Sequence, residues 1–169
     1  INGTTNNNLK EAIYVTNLMT NISAGNMTIT AANTNPNTTA INVTTNLSAT
    51  IAVGSNLNIT GSNPNNRVGM FVSNNVTLSG GGNLTFNGTS GGGVGLYLSA
   101  SNVTVQAGIL QFNGGSNVSQ PYAHGIEVTG LITATVASGA NFNLTGRSTS
   151  SNSANGLFFW APGGINLLA

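Results

Sequence analysis

Cysteine and aspartate are absent from this 169-residue chain, which carries one His, two Glu and three Lys or Arg. Without Cys there is no disulfide scaffold, no thiol nucleophile and no thiolate metal cluster. Without Asp, and with two Glu far apart, there is no acid–base carboxylate pair and no carboxylate-rich calcium loop. A net charge of +1 creates no field able to hold DNA, RNA or an acidic lipid surface. No apolar run approaches the length that spans a bilayer as a helix, so membrane insertion is not expected. The start, Ile1-Asn2-Gly3, has no basic region and no signal-like core, and the end is the apolar Ile165-Asn166-Leu167-Leu168-Ala169. We expect residues 1–169 to form a single segment cut from a longer repetitive fibre, without cofactor, metal or catalytic centre.

What fills the chain instead is Asn (29 residues), Gly (23), Thr (22) and Ser (16). Such a composition raises the question of disorder. Disorder combines low hydrophobicity with high net charge, whereas 39% of this chain is hydrophobic and its charge is near zero. Val, Ile, Leu and Phe suffice for a core.

Those apolar residues repeat. Short apolar–x–apolar cores stand at Ile13-Tyr14-Val15, Ile41-Asn42-Val43, Met70-Phe71-Val72, Leu96-Tyr97-Leu98, Ile126-Glu127-Val128 and Leu157-Phe158-Phe159, at spacings of 26 to 31 residues. Another core follows each of the first five: Met27-Thr28-Ile29, Leu57-Asn58-Ile59, Leu84-Thr85-Phe86, Leu110-Gln111-Phe112 and Phe142-Asn143-Leu144. Between them lies a third, clearest at Val76-Thr77-Leu78 and Val103-Thr104-Val105. Period-two alternation puts the apolar residues of each segment on one face, and Thr, Val, Ile and Phe favour strands. Gly and Asn at Ser79-Gly80-Gly81-Gly82-Asn83, Ala107-Gly108 and Ser138-Gly139 supply sharp corners. Length varies mostly at one corner of the repeat, as stacked coils predict. The expected fold is an all-β, right-handed parallel β-helix with three strands per coil and five to six coils. Strands one coil apart would lie about 4.8 Å apart.

Stacking also accounts for the Asn content, because equivalent corner amides can hydrogen-bond along the stack. Two ladders are expected: Asn17, Asn46, Asn75 and Asn102 before the middle strands, and Asn26, Asn56, Asn83 and Asn141 before the third strands. Identical charges repeated every coil would repel, which fits their scarcity.

Segments such as Asn75-Val76-Thr77-Leu78-Ser79-Gly80-Gly81-Gly82-Asn83-Leu84-Thr85-Phe86-Asn87-Gly88-Thr89-Ser90 and Asn143-Leu144-Thr145-Gly146-Arg147 resemble repeats of the filamentous-haemagglutinin superfamily. That superfamily holds the large exoproteins of Gram-negative two-partner secretion, including adhesins and the stalks of contact-dependent inhibition toxins. The resemblance covers Glu11 to Ala169 and identifies the β-helical fibre better than the individual protein. It implies a secreted, cell-surface adhesin or biofilm fibre. The implied partners are neighbouring coils, an outer-membrane translocator during export, and host or matrix glycans or like fibres. A chain with no Cys and few charges suits passage through a pore as an unfolded thread.

Residues with conceivable chemistry are few. Thirteen Asn-x-Ser/Thr sequons occur, more than composition alone generates, and Asn87 and Asn117, nearer loops, are the candidate glycan acceptors. An Asn corner followed by an apolar–Thr strand start also produces sequons with no glycan involved. His124 reads as a loop histidine. Glu127 reads as an outward strand residue that could pair with Arg147. Gly80-Gly81-Gly82 and Gly91-Gly92-Gly93 lack a following Gly-Lys-Ser/Thr and read as corners, not phosphate loops. Alternation points Tyr14, Phe71, Tyr97 and Phe158 outward, a track suited to gripping sugars or packing fibres side by side. Alternatives to the adhesin reading are an ice-binding or carbohydrate-binding solenoid. Thr28, Thr85 and Thr145, interrupted by Asn58 and Gln111, would be the outward rank of an ice-binding face. A carbohydrate-active β-helical enzyme ranks last, since such enzymes rely on acidic clusters.

Overall fold

The computed structural model describes residues 2–5, 11–65, 67–99, 102–117, 123–149 and 154–168. Among these there are sixteen strands and no helix. Strand β1 (Asn2–Thr5) precedes the first coil, which consists of β2 (Ile13–Val15), β3 (Leu18–Ile22) and β4 (Asn26–Asn33). The next three coils repeat the pattern with β5 (Ile41–Val43), β6 (Leu47–Ile51) and β7 (Asn56–Asn63), then β8 (Met70–Ser73), β9 (Val76–Ser79) and β10 (Asn83–Ser90), then β11 (Leu96–Ser99), β12 (Asn102–Val105) and β13 (Ile109–Ser116). In the fifth coil the first two strands fuse into β14 (Ile126–Val136), followed by β15 (Asn141–Ser148), and β16 (Leu157–Leu168) lies against β14. Every strand pairs in parallel with its equivalent one coil away, so the chain is a parallel β-solenoid of about five turns. The first and middle strands join through β14 into one ten-stranded sheet, and the third strands form a six-stranded sheet that β1, which the repeat pattern did not indicate, extends by pairing Asn2–Thr5 with Thr30–Asn33.

The inward residues stack in columns. Ile41, Met70, Leu96 and Ile126 form one, and Leu57, Leu84 and Leu110 another, all essentially buried. Ile59, Phe86 and Phe112 form a third, in which the two Phe rings stack with centroids 4.7 Å apart. No coil can bury its apolar face alone, so each inward side chain is covered by the coils above and below. Ile13, Leu18 and Met27 in the first coil, and Phe142, Leu144 and Ile165 in the last, are accordingly only partly buried.

Corners follow local chemistry. Immediately before the third strand the chain turns on a glycine with positive φ in every coil: Gly25, Gly54, Gly80 with Gly81, Gly108 and Gly139. Asn74, the single non-glycine residue with positive φ among those described, turns the chain into β9. At the opposite end of the third strand, Gly61, Gly88, Gly114 and Gly146 meet Gly69, Gly95, Gly125 and Gly156 of the next coil's entry. A Cβ on Gly88 or Gly114 would collide with the carbonyl oxygen of Gly95 or Gly125. The third strands also run farther than the apolar cores suggest. They end on a polar column, Asn33, Asn63, Ser90 and Ser116, which is buried. These side chains pin the variable loops: Oδ1 of Asn33 accepts from Asn35 N at 2.9 Å, Oδ1 of Asn63 from Asn65 N at 2.9 Å, and Oγ of Ser90 from Gly93 N at 2.7 Å.

Candidate functional site

Three flat outer faces are available for contact. The first is lined by the aromatic track. In register from coil to coil stand Tyr14, Asn42, Phe71, Tyr97, Glu127 and Phe158. Tyr14 is 57% exposed, and its hydroxyl oxygen accepts from Thr44 Oγ1 at 3.3 Å. Phe71 and Tyr97 stack on each other with centroids 5.2 Å apart, so much of their ring faces is spent between coils. Phe158 stacks on His124 at 4.1 Å and meets Trp160 edge-on at 5.4 Å. Trp160, half exposed, donates its indole N–H to Glu127 Oε1 at 2.6 Å.

This end of the track departs from the sequence reading in two ways. Glu127 makes no ion pair with Arg147, which stands on the six-stranded sheet of third strands while Glu127 stands on the ten-stranded sheet. His124 is buried, only 1% exposed, instead of lying free in a loop. Its Nδ1 accepts from Asn155 N at 3.1 Å, while Nε2 is buried with no partner. Burial holds the His124 pKa below its ordinary value. Burial raises the Glu127 pKa, partly offset by the Trp160 hydrogen bond, which favours the carboxylate. Among the described residues no three His, Cys, Asp or Glu side chains come together where a metal ion could bind.

The second face is that of the middle strands. Asn75 Nδ2 donates to Asn46 Oδ1 at 3.0 Å, and Asn102 Nδ2 donates to Asn75 Oδ1 at 3.0 Å. Asn17 occupies the equivalent corner, but its Oδ1 accepts from Thr45 Oγ1 at 3.0 Å. Thr45, the residue before Asn46, fills that acceptor although Asn46 is the residue in register with Asn17. Beside this row runs an uninterrupted hydroxyl rank that the sequence reading missed: Ser48, Thr77, Thr104 and Thr135, in register on successive coils.

The third face is broad and polar. Asn56 Nδ2 donates to Asn26 Oδ1 at 2.7 Å and Asn83 Nδ2 to Asn56 Oδ1 at 2.8 Å. Asn141 does not extend that row, because Ile109 occupies the intervening coil and separates it from Asn83. A ladder requires neighbouring strands, and two coils are beyond the reach of an amide. Thr145 also falls outside the rank of Thr28 and Thr85. It lies opposite Asn113, while Asn143 continues that rank after Gln111. Asn87 is not near a loop; it lies within β10, half-buried, and accepts from Asn113 Nδ2 at 2.8 Å. Asn117 is exposed just after β13, its backbone N–H donating to Ser90 O at 3.1 Å.

A shallow groove of about 260 Å³ lies on this face, lined by Asn87, Thr89, Asn113, Gly115, Thr145 and Arg147 among others. Gly115 stands in register between Thr89 and Arg147, and the missing side chain makes the depression. Comparison of the chain with protein-family models, with curated proteins and with solved structures finds no match.

Proposed function

We propose that the chain is a structural and adhesive segment of a secreted bacterial surface fibre, acting as a stalk with contact faces and carrying no catalytic site. The observation that carries this reading is the repetition of equivalent polar groups on the outside of successive coils, as in Asn46, Asn75 and Asn102. Enzymes concentrate chemistry in one place; here the surface repeats the same hydrogen bond from coil to coil. Each coil adds about 4.8 Å of length and its own sheet pairing. Such an architecture extends a fibre without limit set by a core. The absence of Cys from the sequence removes disulfides that would obstruct passage through a translocator. The filamentous-haemagglutinin-like repeats favour the same route.

The test is display. The chain is fused behind a two-partner secretion domain and expressed with its translocator in a non-adherent Gram-negative host. Labelling of intact cells and attachment to epithelial or abiotic surfaces are the expected results. Retention in the periplasm, or surface display without any gain in attachment or self-association, overturns the reading.

A second reading, binding to ice or ordered water, draws on the Ser48, Thr77, Thr104 and Thr135 rank. Thermal hysteresis in a freezing assay would establish it, and its absence removes it.

A further inference from the structure

One hydrogen bond fixes the protonation state of His124. A backbone N–H can only donate, so the Asn155 N–H directed at His124 Nδ1, at 3.1 Å, requires that nitrogen to be unprotonated. The neutral ring therefore carries its hydrogen on Nε2, which is buried without a partner among the described residues. A second proton has one place to go, the Nδ1 lone pair that Asn155 already occupies. Protonation thus replaces an acceptor facing a donor with two donors facing each other.

The surroundings do little to offset that charge. An imidazolium would gain attraction from the face of Phe158, 4.1 Å away, but it would be buried with both N–H groups unmet. The titratable side chains on the described parts of the packed strands are Tyr97 on β11, Glu127 on β14 and Arg147 on β15, and β16 carries none. Glu127 Oε1 accepts from Trp160 at 2.6 Å, Tyr97 stacks on Phe71, and Arg147 lines the groove of the six-stranded sheet. Burial lowers the His124 pKa, with no charge pairing set against it.

The segment resting on this ring is lightly held. Strand β16 pairs with β14 in two blocks, residues 157–160 against 126–129 and residues 164–168 against 131–135, with a shift of register between them. Leu157 and Phe159, on the inward side of the first block, are each 40% exposed, whereas Ile165 of the second packs against the core. Few buried apolar contacts mark a segment that opens locally. On the outer side Phe158 stacks on His124, and Trp160 stands edge-on to Phe158. We propose that His124 is an acid-sensitive latch, whose protonation at Nδ1 releases residues 155–160 from the ten-stranded sheet while residues 164–168 stay paired.

The released ring titrates at its ordinary 6.5 and the latched ring below it, so the latch holds above pH 6.5 and loosens as pH falls through the latched value. Full coupling raises the opening equilibrium about tenfold between pH 7.5 and 5.5. Release would turn Phe158 and Trp160 out to solvent. The latch does not depend on export or on adhesion, so its failure leaves the fibre reading untouched.

The test is NMR on the purified chain. At pH 7.5 the ring-nitrogen shifts of His124 should show the Nε2-protonated tautomer. Amide hydrogen exchange, corrected for the intrinsic rate at each pH, should find residues 155–160 less protected than 164–168. Their protection should fall about tenfold from pH 7.5 to 5.5. His124→Phe keeps a ring against Phe158 and should remove that dependence. Glu127→Gln keeps an acceptor for Trp160 and should leave the dependence in place. The proposal is overturned by an Nδ1-protonated ring, by equal protection of the two blocks, by pH-independent protection of residues 155–160, by an unchanged dependence in His124→Phe, or by its loss in Glu127→Gln.

Discussion

Asn102 donates its side-chain amide to Asn75, and Asn75 donates in turn to Asn46, each at 3.0 Å, so one amide is acceptor to the coil after it and donor to the coil before. Replacing Asn75 removes both bonds at once. These bonds are exposed, and a solvent-exposed hydrogen bond contributes at the lower end of its usual range. Asn75→Ala should cost about 1 kcal/mol in urea denaturation. Unchanged stability would show that the row is a consequence of stacking and not a support of it.

Thr20 points inward, opposite Ala49 and in the column of Leu78 and Val105. Its hydroxyl is buried without a partner. Val has the same shape and no such group to desolvate. Thr20→Val should stabilise the solenoid by about 1 kcal/mol, seen as a higher denaturation midpoint with an unchanged slope.

Phe86 and Phe112 stack in the centre of the solenoid, both fully buried. Phe86→Ala should cost about 3–5 kcal/mol, because the rigid coils above and below cannot collapse into the void. Circular dichroism melting checks the size of the loss.

Gly114→Ala and Gly115→Ala form a contrasting pair. The first drives a methyl group into the Gly125 carbonyl and should abolish soluble expression; the second meets only Thr89 and should match or exceed the parent in thermal stability. Similar behaviour of the two would contradict the close packing at this corner.

The His124 pKa is lowered by burial, so the unfolded chain takes up a proton that the folded chain resists. Stability from this group is present above pH 6.5 and lost as pH falls through the folded value. Glu127 acts oppositely: its raised pKa makes the folded chain hold a proton above pH 4.5, so its contribution falls as pH rises through that region. His124→Phe preserves a ring against Phe158 and should flatten the acid side of the melting-temperature profile between pH 7 and 5. A profile identical to the parent would exclude His124 as its source.

The winding itself was legible because its signal is redundant. Columns such as Leu57, Leu84 and Leu110 recur at nearly constant spacing, and period-two alternation fixes which side faces in. Positive-φ glycines such as Gly108 and Gly139 fell at the expected corners. The contact faces were less legible. His124 has no apolar periodicity around it, and only the fold brings Phe158, 34 residues on, over its ring. The buried polar column of Asn33, Asn63 and Ser90 looks like loop composition in the sequence. Its members are interior only because the third strand continues past its apolar core.

The sequence by itself determined that the chain coils, where it turns and which residues face inward, because these follow from local alternation and backbone preference repeated five times. Only the tertiary structure decided which side chains at unlike positions become neighbours. Outward residues at the same offset from the apolar core, such as Asn83, Ile109 and Asn141 or Thr89, Gly115 and Arg147, fall in register, whereas a contact between unlike positions, such as Phe158 on His124, follows no repeat and needs the folded chain.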